Sequence, residues 1–106
     1  MNMDINSLKQ ERNELLNEIV GLSKLLHGSW VERYSTCSNK KCKCHKGEKH
    51  GPRRYLVVNE NGRQKQKYIA NRLVEEAKVG IQQHHRLKEI VDRMTEINLT
   101  LMKEIN

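Results

Sequence analysis

All three cysteines of the 106-residue chain, and two of its five histidines, fall in the run CSNKKCKCHKGEKHGP, residues 37–52. The spacing is Cys37-x4-Cys42-x-Cys44-x5-His50, with His45 as a competitor for the fourth place. Three thiolates and one imidazole suit a tetrahedral structural zinc site. The lysines in the gaps favour the thiolate form of their neighbours. The segments between the ligands are short and rich in Gly, Asn and Lys, as a chain wrapping one ion requires. His50 is the preferred fourth ligand, because Cys42, Cys44 and His45 on one ion would crowd three ligands into four residues. Gly51-Pro52 then turns the backbone out of the site. An odd cysteine count in a chain without a signal-peptide pattern points to metal or free thiols rather than a disulfide framework. An iron–sulfur cluster normally asks for four cysteines.

The expected metal is structural. Catalytic zinc keeps an open position and an acid–base partner, whereas four protein ligands are on offer here. The one carboxylate nearby, Glu48, is flanked by lysines, and the H-x-E with P-C-x-x-C signature of the zinc deaminases is missing. No Ser/His/Asp set, Gly-rich phosphate loop or paired carboxylates stand out, and the chain is not expected to be an enzyme.

Positive charge surrounds the site. The net charge is +7, and it is segregated. Residues 1–27 hold three basic and four acidic side chains, residues 28–72 hold twelve and three, and residues 73–106 hold five and six, or −1, +9 and −1. Such segregation points to a polyanion rather than to solubility alone. Lys40, Lys41, Lys43, Lys46 and Lys49 decorate the metal loop, Arg53 and Arg54 follow it, and Arg63, Lys65 and Lys67 alternate so that all three face one side of a strand. These ten residues are the expected nucleic-acid contacts. Tyr55, Tyr68 and Trp30 either stack on bases or form the small core under the metal site.

The elements that must position these residues follow from periodicity. Ile5, Leu8, Leu15, Ile19, Leu22 and Leu26 recur at helical spacing, widened by Leu16 and Leu25 and interrupted by Arg12, so residues 1–28 read as a helix that stops at His27–Gly28. Residues 71–106 read as a longer helix, with Asn71 as N-cap, Glu75 and Glu76 in its first turn, and Leu73, Ala77, Ile81, Leu87, Ile90, Val91, Met94, Ile97, Leu101 and Ile105 as its apolar seam. Gly80 inside it marks a kink or a close approach. Residues 29–70 hold the metal site and a β-hairpin turning at Asn59–Gly62, with SWVERYSTC as a third strand. With 36% hydrophobic residues and no Phe the core is thin, and a short polar chain of this kind needs a metal or a partner.

The stretches GSWVERYSTC, CKCHKGEKHGP and YLVV resemble a family of small prokaryotic proteins with a Gly-Ser-x-x-x-Arg-Tyr…Cys…Cys-x-Cys…His-Gly-Pro signature, a domain of unknown function often encoded near transposases and other mobile elements. The likeness spans Gly28 to about Met102, through RLKEIVDRMTEINLTLM. It implies that Cys37, Cys42, Cys44 and His50 act together. The chain departs from the family after Pro52, where Arg53 and Arg54 replace aromatic residues.

The expectation is thus a single α+β domain, residues 1–106. Its two long helices form an antiparallel coiled-coil stalk around a small zinc-stabilised β-hairpin head. The head binds DNA, more than RNA, by charge, and the helices make a homodimer. The alternative is a protein–protein adaptor or inhibitor acting through its helical stripe. No apolar run is long enough for a membrane span, and the N-terminus lacks the basic start and apolar centre of a signal peptide, so a cytoplasmic location is expected.

Overall fold

In a computed structural model of the chain, which describes residues 4–47 and 49–105, the elements run α1 (Ile5–Val20), β1 (Ser29–Ser35), a 3-10 turn (Lys43–Lys46), β2 (His50–Glu60), β3 (Arg63–Ile69), a second 3-10 turn (Asn71–Leu73) and α2 (Val74–Ile105). They fall into two compact units. One takes the described residues up to Leu26 together with those from Val79 onward, and the other is His27–Lys78.

The first unit is helical. Asp4 caps α1, its carboxylate accepting the Asn6 backbone N–H at 3.1 Å and the Ser7 hydroxyl at 3.2 Å, which satisfies donors that a helix start leaves open. Leu8 and Leu15 are buried with Ile90, Ile97 and Leu101 of α2, and Ile19, Leu22 and Met94 pack against that cluster. Steps of three, four and seven residues put each set on one face of its helix. Ion pairs fix the direction. Arg86 grips Glu18 and Arg93 grips Glu11, each through two N–H donors. Seven residues separate both the arginines and the glutamates, so the helices run antiparallel. Arg12 is half-buried and donates to Asn98 Oδ1 at 2.9 Å, a role that accounts for its break in the apolar stripe.

α1 ends at Val20, short of the expected stop at His27–Gly28. The residues beyond it find tertiary partners in place of helical ones. The Lys24 backbone N–H donates to Gln83 Oε1 at 2.8 Å, and the Leu26 N–H donates to the Gly80 carbonyl oxygen at 3.1 Å. Gly80 is the site of a close approach. A Cβ there would collide with the Lys24 carbonyl oxygen and stand 2.8 Å from Leu26 Cγ.

The second unit is a three-stranded antiparallel sheet in the order β1-β2-β3. SWVERYS is indeed a strand. The β2–β3 turn is the two-residue Asn61–Gly62, with φ of 53° and 80°, the left-handed pair that an Asn-Gly hairpin adopts. β2 pairs Leu56 with Trp30 on one side and with Lys67 on the other, and alternation then assigns the faces. Trp30, Leu56, Val58, Lys65 and Lys67 share one face, and Val31, Arg33, Arg53, Tyr55, Val57, Gln66 and Tyr68 the other. The first face is covered around Leu56, while Arg63, Lys65 and Lys67 on it stay exposed. Leu56, Val74 and Ala77 are buried, and Lys78 of α2 lies over the Trp30 ring at 5.8 Å. Gly28 belongs to this packing, because a Cβ on it would lie 2.9 Å from Leu56 Cδ1. Asn71, expected to cap α2, instead sits in the 3-10 turn and accepts a hydrogen bond from Arg54 at 3.1 Å. Glu75 and Glu76 do stand in the first turn of α2.

Candidate metal centre

Strand pairing assembles the site. β1 leaves the sheet just before Cys37, and β2 enters it at His50, the register partner of Ser35. The intervening chain folds back through the Lys43–Lys46 turn, with Cys42 at its start and Cys44 within it. Cys37, Cys42, Cys44 and His50 each offer one ligand atom, and all four atoms lie within 4.8 Å of one another. Cys37 Sγ is 3.5 Å from Cys44 Sγ, and Cys42 Sγ is 3.2 Å from His50 Nε2. A tetrahedron with ~2.3 Å metal–sulfur bonds has edges of about 3.8 Å, so the set can close on one metal ion. All three thiols are free of disulfides. His45 is engaged elsewhere, its Nε2–H donating to the Cys37 carbonyl oxygen at 2.7 Å.

The surroundings favour thiolates unevenly. The Cys44 backbone N–H, helped by the Cys37 and Cys44 thiols and by His50, holds the Cys42 thiol down to about 6. Burial pushes the Cys44 thiol up. The Cys37 backbone N–H donates to Cys44 Sγ at 3.2 Å, a contact that stabilises negative sulfur. That donor belongs to the main chain, so no residue type in the sequence announces it.

Glycine makes the cradle possible. Gly47 closes the 3-10 turn at φ 114°. Gly51, beside His50, has φ 133°, and a Cβ there would meet the Arg33 carbonyl oxygen at 2.8 Å. Only glycine lets β2 approach β1 closely enough to present His50.

The ten expected basic contacts are dispersed. Lys40, Lys41, Lys43, Lys46 and Lys49 are all exposed around the metal loop. Arg63, Lys65 and Lys67 share a face as expected, but it is the face that carries Leu56, and Lys65 and Lys67 both pair with Glu60, at 3.3 and 3.1 Å. Those lysines hold the Glu60 carboxyl below its usual range. Arg54, on the same face, is half-buried between Asn71 and Glu32. Arg53 points the other way, toward Tyr55 and Tyr68, and Arg33 stands over the Tyr55 ring at 5.8 Å. Arg33 was not among the expected contacts. Its partnership with Arg53 comes from strand register, which the linear spacing does not reveal.

Among the described residues, no helix is long and apolar enough to cross a membrane. The fold and site therefore define a small α+β protein with a Cys3His cluster able to hold a metal ion. Residues 5–79 match the family described as Domain of unknown function (DUF6788), and the chain belongs to that family. No curated protein and no solved structure matches it.

Proposed function

We infer that this is a nucleic-acid-binding protein, with DNA preferred to RNA, whose central unit is held in shape by zinc and whose two helices form an antiparallel coiled-coil stalk that dimerises. The observation that carries the reading is the close set of three thiols and an imidazole, ringed by five exposed lysines. Three soft sulfurs and one imidazole favour zinc over harder ions. Four protein donors complete its tetrahedron, so the ion serves structure rather than catalysis. It substitutes for the core that a unit with few buried side chains lacks. The exposed lysines then present a fixed array of charge to phosphates, in a reducing, cytoplasmic setting.

Titrating labelled duplex and single-stranded oligonucleotides at rising salt tests the reading. Each phosphate contact releases counterions, so affinity is expected to fall steeply with salt. Replacing Lys40, Lys41, Lys43, Lys46 and Lys49 by Glu is expected to abolish binding without unfolding the protein. Affinity that ignores salt refutes nucleic-acid binding, and affinity that survives that change removes the metal loop from the binding surface. A strong chelator is expected to remove the near-ultraviolet signal of Trp30 and to restore it when zinc is returned.

The adaptor reading has one observation in its favour. Leu16 and Val20 of α1 and Val91, Leu99 and Met102 of α2 are exposed large apolar residues. Capture of one protein partner in nuclease-treated extract, lost when these residues become polar, would replace the nucleic-acid reading.

A further inference from the structure

The uncovered face of the sheet combines aromatic rings with guanidinium groups. Tyr55 and Tyr68 are direct cross-strand partners with ring centroids 5.9 Å apart in an edge-to-face arrangement. Tyr68 is 61% exposed. With Arg53 they line an open cleft of about 380 Å³. Arg33 is the register partner of Arg53 and covers the Tyr55 ring. One side of that ring is thus occupied, and the Tyr68 ring is the open aromatic surface.

Charge on this face has one sign. None of its strand residues carries a carboxylate. The glutamates of the strands, Glu32 and Glu60, lie on the opposite face, close to Arg54, Lys65 and Lys67. The two faces therefore differ in kind. One holds a buried leucine and compensated charge. The other offers a stacking surface beside two exposed arginines, with glutamine and asparagine amides along the neighbouring positions.

We propose that the sheet face formed by Arg33, Arg53, Tyr55 and Tyr68 binds single-stranded nucleic acid, stacking an unpaired base on Tyr68 and holding the flanking phosphates with Arg33 and Arg53. The occupant follows from the chemistry. A polyanion answers two arginines that pair with no carboxylate among the described residues. An exposed ring on a flat, open face needs a partner with a free π-face, which an unpaired base has and a base inside a duplex does not. An acidic peptide would answer the charge but leave Tyr68 unused. This site rests on the nucleic-acid reading but differs from the lysine-rich metal loop that carries it.

Fluorescence anisotropy with labelled oligo(dT), oligo(rU) and a mixed-sequence duplex, on zinc-loaded protein, tests the proposal. The two single strands report which sugar is preferred. Single strands are expected to bind at least about tenfold more tightly than duplex. Y68A is expected to weaken them about tenfold while leaving the slope of log K against log salt unchanged, because tyrosine contacts no phosphate. R33A/R53A is expected to lower that slope by about 1.4. Unchanged circular dichroism and zinc content in each variant show that folding is retained, and Y68F, which keeps the ring, is expected to rescue binding. If the lysine-to-glutamate loop variant loses binding while Y68A and R33A/R53A do not, nucleic-acid binding stands and this site is refuted. Equal affinity for duplex with a silent Y68A refutes it as well. No binding to any oligonucleotide refutes both.

Discussion

The carbonyl oxygen of Gly80 accepts a hydrogen bond from the Leu26 backbone N–H, which brings a non-helical strap directly onto the backbone of α2. A side chain at position 80 has no room. Its Cβ would collide with the Lys24 carbonyl oxygen, a backbone atom that cannot swing aside. In an unobstructed helix interior, Gly→Ala gains ~1 kcal/mol. Here overpacking costs typically 1–3 kcal/mol or more. Gly80→Ala is therefore expected to destabilise the protein by about 1–2 kcal/mol and to lower its melting temperature by several degrees. A scanning thermal melt checks this, and a variant more stable than the wild type would show that the strap does not press on α2.

The glutamates that join α1 to α2 give acid sensitivity a definite sign. Arg93 holds the Glu11 carboxyl below its ordinary value near 4.5, and Arg86 does the same for Glu18. A carboxyl whose value is lowered on folding contributes stability above its unfolded value and loses it as pH falls through the folded value. The pairs are therefore expected to support the helices at neutral pH and to fail progressively below about pH 4.5. In E11Q/E18Q that contribution is missing from the start, so the variant is less stable at pH 7 and its melting temperature falls less between pH 5 and pH 3. Parallel slopes in the two proteins would show that the pairs are not coupled to folding.

What the sequence revealed of this molecule depended on how local each signal is. The metal donors lie within fourteen residues, and their chemistry survives being read in a line. The hairpin turn was legible for the same reason, its Asn-Gly pair being adjacent, although β2 runs on to Glu60 and leaves only Asn61–Gly62 of the expected Asn59–Gly62. The early end of α1 was not legible. Leu22, Leu25 and Leu26 continue a helical apolar rhythm, and what overrules it is a pair of hydrogen bonds to Gln83 and Gly80, more than fifty positions away. The sheet shows the same division. Alternation placed Arg63, Lys65 and Lys67 on a common side, but which side would be covered depended on Leu56 and on α2. Trp30 consequently joins the packed side, while Tyr55 and Tyr68 stay on the open one.

The two histidines of the cysteine loop are expected to behave differently. His50 Nε2 stands with the sulfurs, whereas His45 donates to the Cys37 carbonyl. His50→Ala is expected to weaken zinc binding by more than about a hundredfold, because it removes a direct ligand. His45→Ala is expected to retain one equivalent and lose only modest affinity through a loosened Cys37 backbone. Competition with a chromogenic chelator measures both. Equal losses would place His45 on the metal.

Gly51→Ala probes the cradle without touching a ligand. It forces a Cβ onto a backbone at φ 133° and within 2.8 Å of the Arg33 carbonyl oxygen. β2 must then shift from β1 at the point where His50 is presented. Zinc affinity is expected to drop at least about tenfold, with the near-ultraviolet signal of Trp30 weakened in step. Full affinity with a normal spectrum would mean that the ion can organise the ligands without this close approach.

The dimer prediction turns on which apolar residues are spare. Leu87, Ile90 and Met94 belong to the expected seam, but Ile90 is fully buried and Met94 packs on the internal cluster, so changing them would unfold the helices and mimic the loss of a partner. Val91 and Met102 are about half exposed and lie eleven residues apart, which at ~100° per residue puts them within about 20° of each other around α2. A second copy would cover both, and a two-fold interface uses each position twice. Two substitutions thus remove four buried side chains, at ~1 kcal/mol each for a half-exposed residue. V91E/M102E is expected to weaken dimerisation about a thousandfold while leaving the helical signal and zinc content unchanged. Sedimentation equilibrium on both proteins decides it. A wild type that stays monomeric at tens of micromolar, or a variant that dimerises equally well, would remove this face from the interface.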